Sequence, residues 1–186
     1  DAGVAPADIS FAGPGKSDED LRAAVDAGVI IILESATELR RVAALADRTG
    51  APPTVAVRVN PDFELKASGM KMSGGSKPFG VDAEQVPALM AEAAALPVEL
   101  VGLHIFSGSQ NLRAEALIEA IDKTLELALR LARAAPRPFR WLNIGGGLGV
   151  PYFPGEQPLD LAPVMANLGQ RLAELRARMP GAAVVM

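Results

Sequence analysis

The run Asn143-Ile144-Gly145-Gly146-Gly147-Leu148-Gly149 closes an apolar stretch of strand length, and successive glycines there let backbone N–H groups face a small anion-binding hollow. A phosphate is the guest that suits it. The run is not the dinucleotide fingerprint, because starting that motif at Gly145 puts Val150 at its last glycine and starting at Gly147 puts Tyr152 there. Nor is it a P-loop, since no Gly-Lys-Ser/Thr follows. A tight strand-to-loop turn is the plainer alternative. A second segment, Gly102-Leu103-His104-Ile105-Phe106-Ser107-Gly108-Ser109-Gln110, ends a strand in a polar turn whose Ser107, Ser109 and Gln110 offer hydroxyl and amide donors to the same anion. His104 is the single histidine, so a triad has one candidate and no partner at a diagnostic spacing. In an apolar strand it reads first as a hydrogen-bonded structural residue. Phe106 reads as core. Arg58 interrupts the apolar strand Val55-Ala56-Val57-Arg58-Val59 and must find an anion or several carbonyls there. Contact with a bound anion and a salt bridge to Glu34 both satisfy that demand. Lys16 and Lys77 read as solvated loop charges, and Glu34, Asp62 and Glu64 show no metal-ligand spacing.

Strand-length apolar runs at 9–12, 29–33, 54–59, 100–105, 141–144 and 182–185 alternate with segments of helical period. The run 29–33 is apolar at every position, as a parallel strand covered on both faces requires. Ser17-x-x-Asp20 and Ser35-x-x-Glu38 fit capping boxes, Gly28 and Gly50 sit at helix exits, and 114–134 carries a stripe of Leu117, Ile118, Ile121, Leu125, Ala128, Leu129 and Ala132. The order predicts an α/β fold with six strands and five crossovers, either a doubly wound open sheet or a (β/α)8 barrel. In both, the groups just past the strands converge on one rim. The long connection 60–80 reads as a functional or mobile loop.

Composition narrows the function classes. Of 186 residues, 49% are apolar and 22% charged, enough for a sizeable core and too little charge for a disordered chain. The net charge of −4 without a Lys/Arg cluster argues against a nucleic-acid surface. No window reaches the ~18–20 continuous apolar residues of a membrane span, and the cytoplasm is the default location. The absence of cysteine excludes a disulfide scaffold, a thiolate metal site and a cysteine nucleophile. Beginning at Asp1 without an initiator Met and ending on Ala182-Ala183-Val184-Val185-Met186, the chain reads as an excerpt.

Taken in order, Phe11-Ala12-Gly13-Pro14-Gly15-Lys16-Ser17, Arg58-Val59-Asn60-Pro61-Asp62, Lys77-Pro78-Phe79-Gly80 and the two glycine-containing segments above resemble the ornithine/diaminopimelate/arginine decarboxylase family, and they span nearly the whole chain. The resemblance implies a pyridoxal 5′-phosphate enzyme of group IV, fold type III: an alanine-racemase-like (β/α)8 TIM-type barrel, here an incomplete barrel of about six strands, acting as a homodimer. Residues 1–186 are then a partial pyridoxal-phosphate-binding barrel domain. The first barrel strands, with the Schiff-base lysine, and the C-terminal β domain lie outside it. Carried over by position, Gly145, Gly146 and Gly147 match the glycine loop that holds the cofactor phosphate, and Ser109 matches a serine hydrogen-bonded to that phosphate. Arg58 matches an arginine beside the cofactor, and His104 is grouped with this cofactor-binding set. Phe106 stands where many members place a histidine stacked on the pyridine ring; a phenyl face stacks equally but handles no proton. That departure points toward relatives acting on carrier-linked amino acids. Lys16 matches a lysine one strand beyond the Schiff-base residue, so no catalytic residue is expected within 1–186, and this segment alone is expected to be inactive. The implied activity of the whole protein is decarboxylation of a free or carrier-linked amino acid, with an amino-acid racemase of the same barrel or a non-catalytic pyridoxal-phosphate-binding protein as alternatives.

Overall fold

The computed structural model describes residues 3–48, 50–63, 70, 71 and 78–186. The strands are β1 (Ser10–Phe11), β2 (Ile30–Leu33), β3 (Thr54–Asn60), β4 (Met70–Lys71), β5 (Val81–Asp82), β6 (Glu99–Ile105), β7 (Gly108–Ser109), β8 (Trp141–Asn143) and β9 (Ala183–Val185). The helices are α1 (Asp18–Ala27), α2 (Ala36–Ala43), α3 (Val86–Ala94), α4 (Ala114–Ala132) and α5 (Leu161–Arg178). All six expected strands are present, joined by five helical crossovers. They form one parallel sheet in the order β1-β2-β3-β6-β8-β9, with the short β5 added on β3. The sheet curls into a half-barrel with its helices on one face.

Alternation along each strand divides the molecule into two apolar layers. Ile31, Leu33, Val55, Val57, Leu103, Ile105 and Leu142 pack outward against the helices in the main core. Ile30, Ile32, Ala56 and Val101, with Trp141 against them, form a small cluster on the inner face. Every residue of β2 is buried, as its uninterrupted apolar run requires. Further along the inner face, the same alternation places Arg58 on β3 and His104 on β6.

A β-bulge sets that alignment. Val55 pairs with Leu100 but Ala56 pairs with Gly102, so Val101 is the extra residue, and Arg58 then falls opposite His104, which falls opposite Asn143. Gly102 is needed at the bulge, because a Cβ there would lie 1.6 Å from the Trp141 carbonyl oxygen.

The caps explain where the helices begin. Ser17 and Asp20 form the full reciprocal box, and α1 ends on Gly28 at φ 70°. At α2 only half of the expected box exists: Ser35 accepts the Glu38 N–H, but the Glu38 carboxylate accepts the N–H of Glu34 instead of that of Ser35. The stripe on α4 is wider than its sequence pattern, burying Ala120, Thr124, Leu127 and Leu131 besides Leu117, Ile121, Leu125 and Ala128, because α5 packs alongside.

The reading of Lys16 as a solvated loop charge is overturned. It is 5% exposed, and its ammonium donates to the carbonyls of Gly13 (2.5 Å) and Ile32 (2.8 Å) and to both Glu38 oxygens (3.1 Å). Glu38, 3% exposed, turns its carboxylate inward to meet it, which is why that carboxylate does not return a bond to the Ser35 N–H. Replacing one member of such a pair leaves an uncompensated buried charge. Lys16→Met is therefore expected to destabilise the fold by about 3–5 kcal/mol, read as a lower midpoint in urea unfolding.

Candidate functional site

The loops that leave β6 and β8 are bound into one unit at the carboxyl end of the sheet. Asn111 N–H donates to the Gly147 carbonyl at 2.9 Å, and Gly149 N–H returns a bond of 2.9 Å to the Asn111 carbonyl. The Gln110 side-chain amide donates to the Val150 carbonyl and accepts the Val150 N–H, with Gln110 itself at φ 56°, an uncommon setting for a non-glycine residue. The Gln110 amide thus spends its oxygen and one of its two N–H groups on the backbone, holding the two loops together. Asn143 Oδ1 accepts the Gly145 N–H at 2.8 Å and turns the chain out of β8.

Within this unit the three glycines have different reasons to be glycine. A Cβ on Gly145 would meet Phe106 Cδ2 at 2.7 Å, and one on Gly147 would meet the Gly108 carbonyl oxygen at 2.2 Å; both residues have positive φ, 74° and 84°. Those two glycines are required by packing. Gly146 is not: a Cβ there meets nothing within 4 Å, and φ is not positive. Among the described residues no backbone acceptor takes the N–H of Gly146 or Gly147. Two adjacent amide donors without a backbone acceptor, one of them beside open space, are the kind of group that can receive an anion. Phe106, half-buried, lies against Gly145, and Ser109 sits on β7, which pairs antiparallel with β4.

On the inner face, Arg58 meets Glu34 at 3.0 Å, with both residues 7% exposed, and the guanidinium carbon lies 4.7 Å from the centroid of the Phe79 ring. Of the two partners the sequence allowed for Arg58, the structure contains Glu34. The strand register sets His104 beside Arg58. The hydrogen-bonded structural role expected for His104 is not observed, since its buried Nδ1 has no partner among the described residues. Burial first, and then the Arg58 charge, push its imidazole down from the ordinary 6.5 to about 4, while Glu34 acts the other way. His104 is therefore neutral near pH 7.

Asp62 pairs with Arg130 at the surface, and Glu64 and Lys77 lie outside the described residues, as does most of the connection 60–80. No group of metal-ligating side chains and no helix long and apolar enough to cross a membrane exists among the described residues. Sequence reasoning missed the burial of Lys16 with Glu38 and the commitment of Gln110. A lysine directly after Gly13-Pro14-Gly15 and before the Ser17 helix cap was the one signal for the former.

Because the native imidazole binds its proton only near pH 4, the unfolded chain binds more protons between that pH and about 6.5, and stability must fall as the pH drops through this window. Unfolding of the full-length protein at pH 7 and pH 4.5 is expected to show a His104-dependent loss of about 2–3 kcal/mol in the wild type. His104→Gln should lack it.

A parallel half-barrel that gathers a glycine loop, a buried arginine and a neutral histidine at the carboxyl ends of its strands has the α/β-barrel architecture in which ligand sites collect at that rim. Residues 1–186 match the family described as pyridoxal-dependent decarboxylase, pyridoxal binding domain, and the chain belongs to that family. It is 33% identical over 177 residues to the L-glutamyl-(BtrI acyl-carrier protein) decarboxylase of Niallia circulans, covering 94% of this chain and 41% of that protein. It is likewise 33% identical over 194 residues to the diaminopimelate decarboxylase of Aquifex aeolicus, covering 99% and 45%. The crystal structure of diaminopimelate decarboxylase from Helicobacter pylori complexed with L-lysine superposes with a TM-score of 0.80 at 25% identity, over 99% of this chain and 46% of that one. The chain spans less than half the length of these relatives. The family's cofactor is pyridoxal 5′-phosphate, and an open cradle with two amide donors fits its phosphate.

Proposed function

We propose that the whole protein is a pyridoxal-phosphate-dependent amino-acid decarboxylase and that this chain is the part of its barrel that grips the cofactor. The Schiff-base lysine and a C-terminal β domain then belong to sequence outside residues 1–186. What supports this division is the share of each relative that the chain covers. The observation that carries the functional reading is Gly146, a glycine whose open flank serves neither packing nor backbone conformation.

In this reading the loop Gly145, Gly146 and Gly147 holds the phosphate, with the N–H groups of Gly146 and Gly147 as donors and Gly145, its own N–H held by Asn143, shaping the turn, and the Ser109 hydroxyl adds a side-chain donor. Phe106 covers one face of the pyridine ring, and Arg58 and His104 stand beside it. The cofactor supplies an electron sink for the carbon that loses its carboxylate. The chain's own contribution is placement: phosphate grip and an apolar face fix the ring so that one bond of the substrate is held in the reactive direction. Phe106 excludes water from its side of the ring and moves no proton, and His104 is neutral near pH 7, so neither delivers a proton as an imidazolium. The substrate is a free or carrier-linked amino acid, the second being the class named for the Niallia relative. The protein acts as a cytoplasmic homodimer without nucleic acid or membrane.

The test is carbon dioxide release by the full-length protein loaded with pyridoxal phosphate, over a panel of free and carrier-linked amino acids. Release from at least one is expected; racemised product without release would overturn the decarboxylase reading in favour of a racemase. Gly146→Val should weaken pyridoxal-phosphate binding by at least ~10-fold, the equivalent of about 1.4 kcal/mol, with little change in melting temperature. Gly147→Ala, by contrast, drives a Cβ into the Gly108 carbonyl and should lower the melting temperature. Unchanged cofactor affinity in Gly146→Val would remove the cradle assignment.

A further inference from the structure

At the rim of the half-barrel, one buried carboxylate ties together elements that are remote in sequence. Glu34 Oε1 accepts the Gly13 N–H at 2.9 Å and Arg58 Nη1 at 3.0 Å, while Oε2 accepts the Gly80 N–H at 2.7 Å. The Glu34 backbone is itself held, its N–H donating to Glu38 Oε2 at 2.9 Å, and Glu38 is held by Lys16. Gly13 is gripped from both sides, by Glu34 at its N–H and by Lys16 at its carbonyl. Two carboxylates and two cations, none more than 7% exposed, thus close a charge-balanced network behind the site.

Stability does not explain this arrangement. Well-packed apolar residues often replace a buried ion pair at no net loss, so what the pair adds is direction: a carboxylate holds a guanidinium fork in one orientation. Of the two pairs, Lys16 with Glu38 lies behind the rim, whereas Arg58 lies on the inner face, against the Phe79 ring and in register with His104. We propose that Glu34 is a positioning residue for the reaction, fixing the Arg58 guanidinium toward the bound cofactor and substrate and fastening Gly80, the last residue of the connection 60–80, to the same point. The inference rests on the decarboxylase reading. Glu34 acts through Arg58 and touches neither cofactor nor substrate itself.

The consequence is coupling. In the full-length holoenzyme, Glu34→Gln keeps the side-chain shape but removes the charge, and kcat/KM should fall by about 100-fold, the scale of a misplaced reacting group, mainly in kcat. Arg58→Gln should cause a similar loss, and the double variant should be little worse than Arg58→Gln alone, because the guanidinium that Glu34 orients is already gone and glutamine's carbonyl oxygen can still accept a backbone N–H from Gly13 or Gly80. Titrating the apoprotein with pyridoxal phosphate gives a readout independent of turnover: both single variants should raise the dissociation constant by the same factor. Glu34→Asp, which restores the carboxylate, should recover part of both losses. Wild-type constants in a folded Glu34→Gln protein, or losses that multiply in the double variant, would overturn the proposal. If Glu34→Gln does not fold, Glu34→Asp decides: reduced kcat with a native-like melting temperature supports the role, and wild-type kcat ends it. A wild-type protein that neither binds pyridoxal phosphate nor releases carbon dioxide would sink the functional reading instead, a result that stands apart from any difference among the variants.

Discussion

The candidate site depends on the close approach of two backbones, at Gly147 and Gly108. With a carbonyl oxygen 2.2 Å from where a Cβ would stand, no side chain fits between the loops that leave β6 and β8. That absence lets Asn111 bond to Gly147 and Gly149 and lets the Gln110 amide close on Val150. Backbone-to-backbone bonding makes a rigid floor without side-chain entropy, and a rigid floor is what preorganised amide donors need. The backbone at Gly146, the cradle proposed for the phosphate, is therefore positioned by its neighbours rather than by anything it does itself.

Electrostatics adds a second constraint beneath that floor. Desolvation in a half-barrel lumen raises the cost of any charge, and the structure meets it by matching each buried cation with a carboxylate: Lys16 with Glu38, Arg58 with Glu34. His104, facing the same lumen without a counter-charge of its own, stays neutral. The inner face thus offers directed hydrogen-bonding groups with little net charge. The anionic guest proposed for the site then meets backbone donors first, and long-range attraction contributes little to holding it.

Much of the architecture was legible in the residues. Six apolar runs, two serine caps and one striped helix suffice for the element order, since those signals are local and each element obeys its own periodicity. The glycine run was legible as the turn out of its strand for the same reason. What escaped the sequence is long-range. Lys16 meets Glu38 across 22 positions and Gln110 meets Val150 across 40, and both bonds exist only once parallel strands have set the rim. A charged residue next to glycines looks solvated until the neighbouring strand is placed over it. Arg58 is the intermediate case: an arginine inside an apolar strand announces that it must be paired, and Glu34 was nameable as a partner, but that carboxylate's hold on Gly13 and Gly80 was not. The antiparallel pairing of Met70–Lys71 with Gly108–Ser109 left no periodic trace, because two residues cannot show a period.

Gly146 carries one more consequence, for engineering. Since its φ is not positive and its flank is open, alanine there is compatible with the native backbone and would narrow the unfolded ensemble, a gain of about 0.4–1 kcal/mol. Any procedure that ranks substitutions by folding free energy alone will favour that change and will read its neighbours Gly145 and Gly147 as untouchable. The residue proposed to admit the ligand is thus the one that thermostabilisation would remove first, and a library filtered on thermal tolerance alone would select against it while every fold-based criterion improved.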